Sequence, residues 1–218
     1  MCFSATASFV TAGVAGAIGV ACLYRAHEPR DRLLATIPLL FAAQQGIEGL
    51  LWLSLTLTPT GPVSSALTLL FLAIAEVVWP VYAPAAVLMA EPSEPRRRLM
   101  WLCLAIGVSV AIYLLWSIAI RSHSAAVIDG HIVYVTEYPY AMPTGLGYLA
   151  ATGLALVLSS WRAVSAFGWI VLAGTAVAYA FYWQAYVSVW CFFAAAGSVT
   201  MLAHFETSHR RRLRMAGA

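Results

Sequence analysis

The sequence predicts an all-α fold, a polytopic bundle of seven transmembrane helices with its N-terminus outside and its C-terminus in the cytoplasm. Two observations carry that expectation. The chain is 62% hydrophobic and only 10% charged, where a soluble domain carries about 25% charged residues. Its basic residues are twelve arginines and no lysine, gathered in short clusters between long apolar runs; a bilayer core asks for runs of about 20 residues. Over 218 residues no polar segment is long enough to form a separate soluble domain, so residues 1–218 read as a single seven-helix transmembrane domain.

The first apolar run ends at Tyr24, so helix 1 must begin near Phe3 to reach spanning length, over residues 3–24. No basic stretch and cleavage site mark a removable signal peptide, and this helix is expected to stay in the protein. Gly13, Gly16 and Gly19 recur every three residues and give a smooth stripe for close helix approach. That stripe places helix 1 centrally. After three arginines in residues 25–32, helix 2 covers 33–55 and ends at an uncharged turn, Pro59, Thr60, Gly61 and Pro62.

Helix 3, over 65–90, contains Glu76, Trp79, Pro80 and Pro84, and proline predicts a bend just past Glu76. A second basic turn, 91–98, precedes helix 4 over 99–120. The outer loop 121–144 carries Asp129-Gly130 between β-branched residues, a hairpin signal. Helix 5 follows over 145–161, helix 6 over 164–184 and helix 7 over 187–206, and the chain closes with HRRRLRMAGA. Eleven of the twelve arginines lie in turns 1 to 2, 3 to 4 and 5 to 6 and in the tail, which assigns those segments to the cytoplasm.

Composition excludes several functions. Clustered arginines that report orientation argue against nucleic-acid binding. Cys2, Cys22, Cys103 and Cys191 lack the pair spacing of a zinc or redox motif. His204 is the only histidine within a predicted span, too few for an intramembrane zinc hydrolase or a haem-carrying bundle. Without lysine there is no retinal Schiff base, and no nucleophile elbow or phosphate loop is present.

What remains is a set of polar residues in apolar surroundings. Gln44, Glu48 and Trp52 are four apart and share one helix face, with Gln45 beside them. A carboxylate in the hydrocarbon costs roughly 2.5 to 3.5 kcal/mol on insertion scales, so a partner or a wet cavity is expected opposite. Glu76 is the candidate, since both acids fall roughly 10 to 17 Å below the outer face at the helical rise. Tyr182, Gln184, Trp190 and Cys191 bracket the same mouth, and Trp79 is a further aromatic candidate in helix 3. Cys2 sits above them and, were Met1 removed, would offer a thiol and a free amine, a pair suited to a soft metal or to nucleophilic attack. Cys2, Glu48 and Glu76 are thus the candidate metal ligands. The competing reading is structural: a protonated Glu48 clamping two helices, and Glu76 bonding backbone freed by Pro80.

The opening MCFSATASF, together with a QQxxE segment and a nearby Trp in helix 2 (Gln44, Gln45, Glu48 and Trp52), resembles a family of bacterial multi-pass membrane proteins whose chains begin MCFSA. The resemblance implies an inner-membrane location and suggests Cys2, Ser4, Gln45 and Glu48 as shared polar positions. It implies no activity.

The leading expectation is a binding or sensing module with an outward-opening polar cavity for a metal ion, another cation or a small polar ligand. Ligand-binding candidates are Glu48, Glu76, Gln44, Gln45, Trp52, Trp79 and Tyr182. Two alternatives stand beside it: a membrane-embedded enzyme using mature Cys2 as nucleophile or metal ligand, and proton or cation transport through Glu48 and Glu76. The lipid bilayer is the expected surrounding partner.

Overall fold

A computed structural model describes residues 4–136, 138–182 and 186–216. Helix α1 is Ala5–Arg25, α2 Pro29–Leu57, α3 Pro62–Ala90, α4 Glu94–Ile120, α5 Ala141–Val157 and α6 Arg162–Phe181. Helix α7 comes in two parts, Tyr186–Gly197 and Val199–Ala216. Between α4 and α5 lie two strands, β1 Ser124–Ile128 and β2 His131–Val135. Among the described residues six segments are long and apolar enough to cross a membrane: α1, α2, α3, α4, α6 and Val189–Arg210 within α7. Helix α5 is apolar but shorter than these.

Arginine-bearing turns gather at one end of the bundle. Arg25 pairs with Glu206 at 2.5 Å, Arg212 with Glu28, and Arg96 donates to Leu158 O at 2.9 Å. This end is called the basic face; the β-strands mark the opposite, hairpin face.

Local chemistry explains most boundaries. Ser4 caps α1 by accepting the Ala7 N–H, which sets the start of the helix at Ala5. Prolines at the first helical positions of α3 and α4 start those helices without loss of a hydrogen bond. The strands pair antiparallel with Ile128 opposite His131, leaving Asp129 and Gly130 as a two-residue turn. Both have positive φ, 48° and 75°, as a tight hairpin turn matched to strand twist requires.

Four expectations are corrected. Helix 1 is peripheral: Gly16 and Gly19 do face α2, against Ala42 and Leu39, but Val10, Val14 and Val20 on other faces are exposed. Gly13 meets nothing within 4 Å, so the stripe is two glycines long. Where a bend past Glu76 is expected, the helix has a π-helical turn that contains Glu76, Ala73–Val78, in which the Trp79 N–H reaches back to Ile74 O. Pro80 has no N–H to give, and inserting one residue into the ladder re-satisfies part of the freed backbone.

Helix 5 runs Ala141–Val157, not to 161, because Ser159 and Ser160 leave the helix to bind Glu91. Helix 7 is interrupted at Ser198, whose hydroxyl donates to Ala195 O at 2.6 Å, local bonding of the kind that bends helices. The last predicted residues of helix 6, with Trp183 and Gln184, lie outside the described residues, as does Cys2.

Candidate functional site: a buried amide and carboxylate network

Helix α2 positions the site. Its residues Gln44, Gln45 and Glu48 are all fully buried, and Trp52 one turn further is 8% exposed. Amide and carboxyl groups so placed must find partners inside the protein.

Gln44 finds two. It accepts from the Trp79 indole N–H of α3 at 2.7 Å and donates to Cys191 Sγ of α7 at 3.0 Å, so one side chain ties three helices. Gln45 donates to Glu48 Oε2 at 3.2 Å, and Ser8 of α1 approaches the same oxygen at 3.5 Å. Two polar atoms beside Glu48 have no partner among the described residues: Gln45 Oε1 and Trp52 Nε1. Helix α2 therefore carries an open acceptor on the amide that binds the buried carboxylate and an open donor one turn beyond it.

Glu76 sits in the π turn of α3 and is 8% exposed. It accepts from the Tyr138 hydroxyl, which comes down from the segment after β2. Burial first, and then the neighbouring Glu76 carboxyl, hold the Tyr138 phenol well above its usual range, so it stays protonated and donates. A second hydroxyl, Tyr148 of α5, donates to Ala75 O in the same π turn. The hairpin is packed down over this region: Tyr134 stacks on Phe71 of α3 with ring centroids 4.6 Å apart, and Ile132 is fully buried.

The Gln44–Trp79 bond sets the register of two antiparallel helices. Glu48 lies four residues beyond Gln44 toward the hairpin face and Glu76 three residues beyond Trp79 in the same direction, which at the helical rise puts the carboxylates within about 2 Å of one level. Their neighbours differ. Glu48 meets α1 through Ser8, whereas Glu76 meets the hairpin segment through Tyr138. Tyr148 stands in electrostatic reach of Glu76, Cys191 and Tyr186, linking the two neighbourhoods.

Tyr182 follows the last residue of α6, with its ring 5.6 Å from that of His131 in β2. A void of about 20 Å³ touches Trp79 but is walled by apolar side chains such as Ile37, Phe41 and Phe167. Among the described residues no three His, Cys, Asp or Glu side chains converge as a metal shell does. The oxygens around Glu48 are hard donors, suited to alkali, alkaline-earth or ammonium-type cations more than to soft metals. The third proposed metal ligand, Cys2, lies outside the described residues.

Sequence reading missed Ser8, Tyr138 and Tyr148. Ser8 stands four residues after Ser4, a small polar signal on the face that meets α2. Nothing in the spacing of Tyr138 or Tyr148 announces a carboxyl or carbonyl partner. A fourth group, Glu91, reads as part of a charged turn yet is 3% exposed. It accepts from the Ser93 N–H at 3.2 Å, the Ser160 N–H at 2.8 Å and the Ser159 and Ser160 hydroxyls.

Among the described residues, six helices long and apolar enough to cross a membrane, with buried amides and carboxyls between them, fit the class of helical membrane proteins with a polar core. Within that class the chain belongs to DUF6629, a family of unknown function, whose model matches residues 1–217. No curated protein and no solved structure matches it.

Proposed function

We propose that this protein is a membrane-embedded binding or sensing module that takes a small cation or polar ligand at the Glu48 level, entering from the hairpin face. The observation that carries the reading is the pair of unengaged buried polar atoms, Gln45 Oε1 and Trp52 Nε1, on residues three before and four after fully buried Glu48 in α2. An unsatisfied buried donor or acceptor costs about 1 to 3 kcal/mol, and two beside one intramembrane carboxylate are accounted for if a ligand completes them. Ionisable residues inside spans mark ligand and ion sites by default.

In this reading Glu48 and Gln45 Oε1 attract the positive or hydrogen-bond-donating end of the ligand, and Trp52 Nε1 donates to it. Glu76, at the same level, is closed over by Tyr138, so the hairpin segment acts as the cover whose position reports on the site. Seven spans in a bacterial inner membrane, with the basic face in the cytoplasm, complete the proposal. The arginine distribution supports that orientation.

The experiment is a thermal-unfolding series on purified protein with chloride salts of sodium, potassium, ammonium, magnesium, calcium and zinc. A cation that raises the midpoint of the natural protein and not of E48Q supports the reading. No cation-dependent change in either protein contradicts a cation site, and the same series with neutral polar solutes then tests the other ligand class.

A further inference from the structure

The basic face carries a cleft remote from Glu48 and Glu76. Between the start of α4 and the turn from α5 to α6 opens a cleft of about 460 Å³ lined by Arg96, Ser160, Arg162, Ser165 and Trp169, among others. Arg96 spends one N–H on Leu158 O at 2.9 Å and keeps the rest of its guanidinium toward solvent. Arg162 is exposed and makes no hydrogen bond or ion pair among the described residues. It opens α6, a 20-residue helix whose preceding residue, Trp161, supplies no side-chain cap, so the first-turn N–H groups add positive potential.

The nearby acids are already engaged. Glu91 is turned inward onto Ser93, Ser159 and Ser160, and Glu94 pairs with Arg97 at 3.1 Å. The cleft therefore keeps a net positive field. Its far wall is apolar and faces outward: Trp169 is 61% exposed, with Ala166 and Val157 beside it.

We propose that this cleft seats the phosphate of an anionic glycerophospholipid from the leaflet at the basic face, with Arg96 and Arg162 on the phosphate and the acyl chains against Trp169 and Ala166. Basic clefts between membrane helices on the arginine-rich side recognise such headgroups. A soluble phosphate would use the two arginines but leave the exposed apolar wall without a role.

The test uses the full chain in detergent, with bound lipid counted by native mass spectrometry after addition of phosphatidylglycerol, phosphatidylcholine or inorganic phosphate. We expect phosphatidylglycerol to be preferred over phosphatidylcholine by about tenfold or more, from two arginines at a membrane surface. R162Q, which breaks no contact among the described residues, lowers that preference severalfold, and R96Q/R162Q abolishes it. R98Q, on the same turn outside the cleft, leaves it unchanged. Equal retention of the two lipids, or a preference that survives R96Q/R162Q, overturns the proposal. So does displacement of phosphatidylglycerol by inorganic phosphate, which would make the cleft a soluble-anion site.

Discussion

The Trp79 indole N–H donates to Gln44 Oε1 at 2.7 Å, and through that bond α3 is held in register against α2 while the other end of the same amide reaches Cys191 on α7. Both partners are buried, Gln44 wholly and Trp79 at 4% exposure. Replacing Gln44 with Leu strands the indole donor, and the expected cost is about 1 to 3 kcal/mol. Thermal unfolding of Q44L in detergent measures it. The Q44L/W79F double variant should cost less than the sum of Q44L and W79F, because it leaves neither partner of the bond orphaned; full additivity would mean that the bond contributes nothing.

Tyr138 is the one described contact between the segment after the hairpin and Glu76. Y138F removes that contact while keeping the ring, and the expected result is faster amide hydrogen exchange across β1 and β2 with little change in α2. Exchange that rises in α2 and the hairpin alike would instead report general loosening of the bundle.

How much of this was legible in the sequence follows from the range of each interaction. Gln44, Gln45 and Glu48 announce themselves because helical spacing puts polar groups on an apolar helix, a signal contained in a few residues. The Asp129-Gly130 turn is equally local: two residues able to take positive φ lie between β-branched neighbours. The partners are not local. Cys191 lies 147 residues from Gln44 and Tyr138 lies 62 from Glu76, and no periodicity encodes which helix faces which. The peripheral place of α1 was missed for the same reason, since its glycines report close approach to one neighbour and nothing about the opposite side.

Glu91 fastens the turn before α4 to the turn after α5, accepting from two backbone N–H groups and two hydroxyls. E91A leaves those donors without their shared acceptor and should lower stability by about 2 to 4 kcal/mol, given that bonds to charged groups are worth about 1.5 to 3 each and are partly replaced by water at this face. E91Q, which keeps one carbonyl oxygen, should lose less. Melting temperatures of the two variants check the order; equal melting temperatures for E91A and the natural protein would contradict it.

Gly107 of α4 lies against Pro80 of α3, where an added Cβ would stand 1.8 Å from Pro80 O and 3.1 Å from Ala151 Cβ. A backbone carbonyl cannot swing aside as a side chain does, so G107A should destabilise by about 1 to 3 kcal/mol or more. G13A is the control, because nothing lies within 4 Å of that position, and its effect should stay within about 0.5 kcal/mol. Unfolding measured side by side decides whether the close packing of α3 on α4 is as described.

Glu48 and Glu76 are proposed to serve one site from neighbouring helices, and a double-mutant cycle on ligand-induced stabilisation tests that most directly. The quantity is the rise in unfolding midpoint produced by whichever cation or polar solute stabilises the natural protein, measured for it, E48Q, E76Q and E48Q/E76Q. The prediction is that E48Q abolishes the rise, E76Q reduces it, and the double variant shows no further loss beyond E48Q. A rise of undiminished size in E48Q, or losses in the two single variants that simply add, would contradict the account.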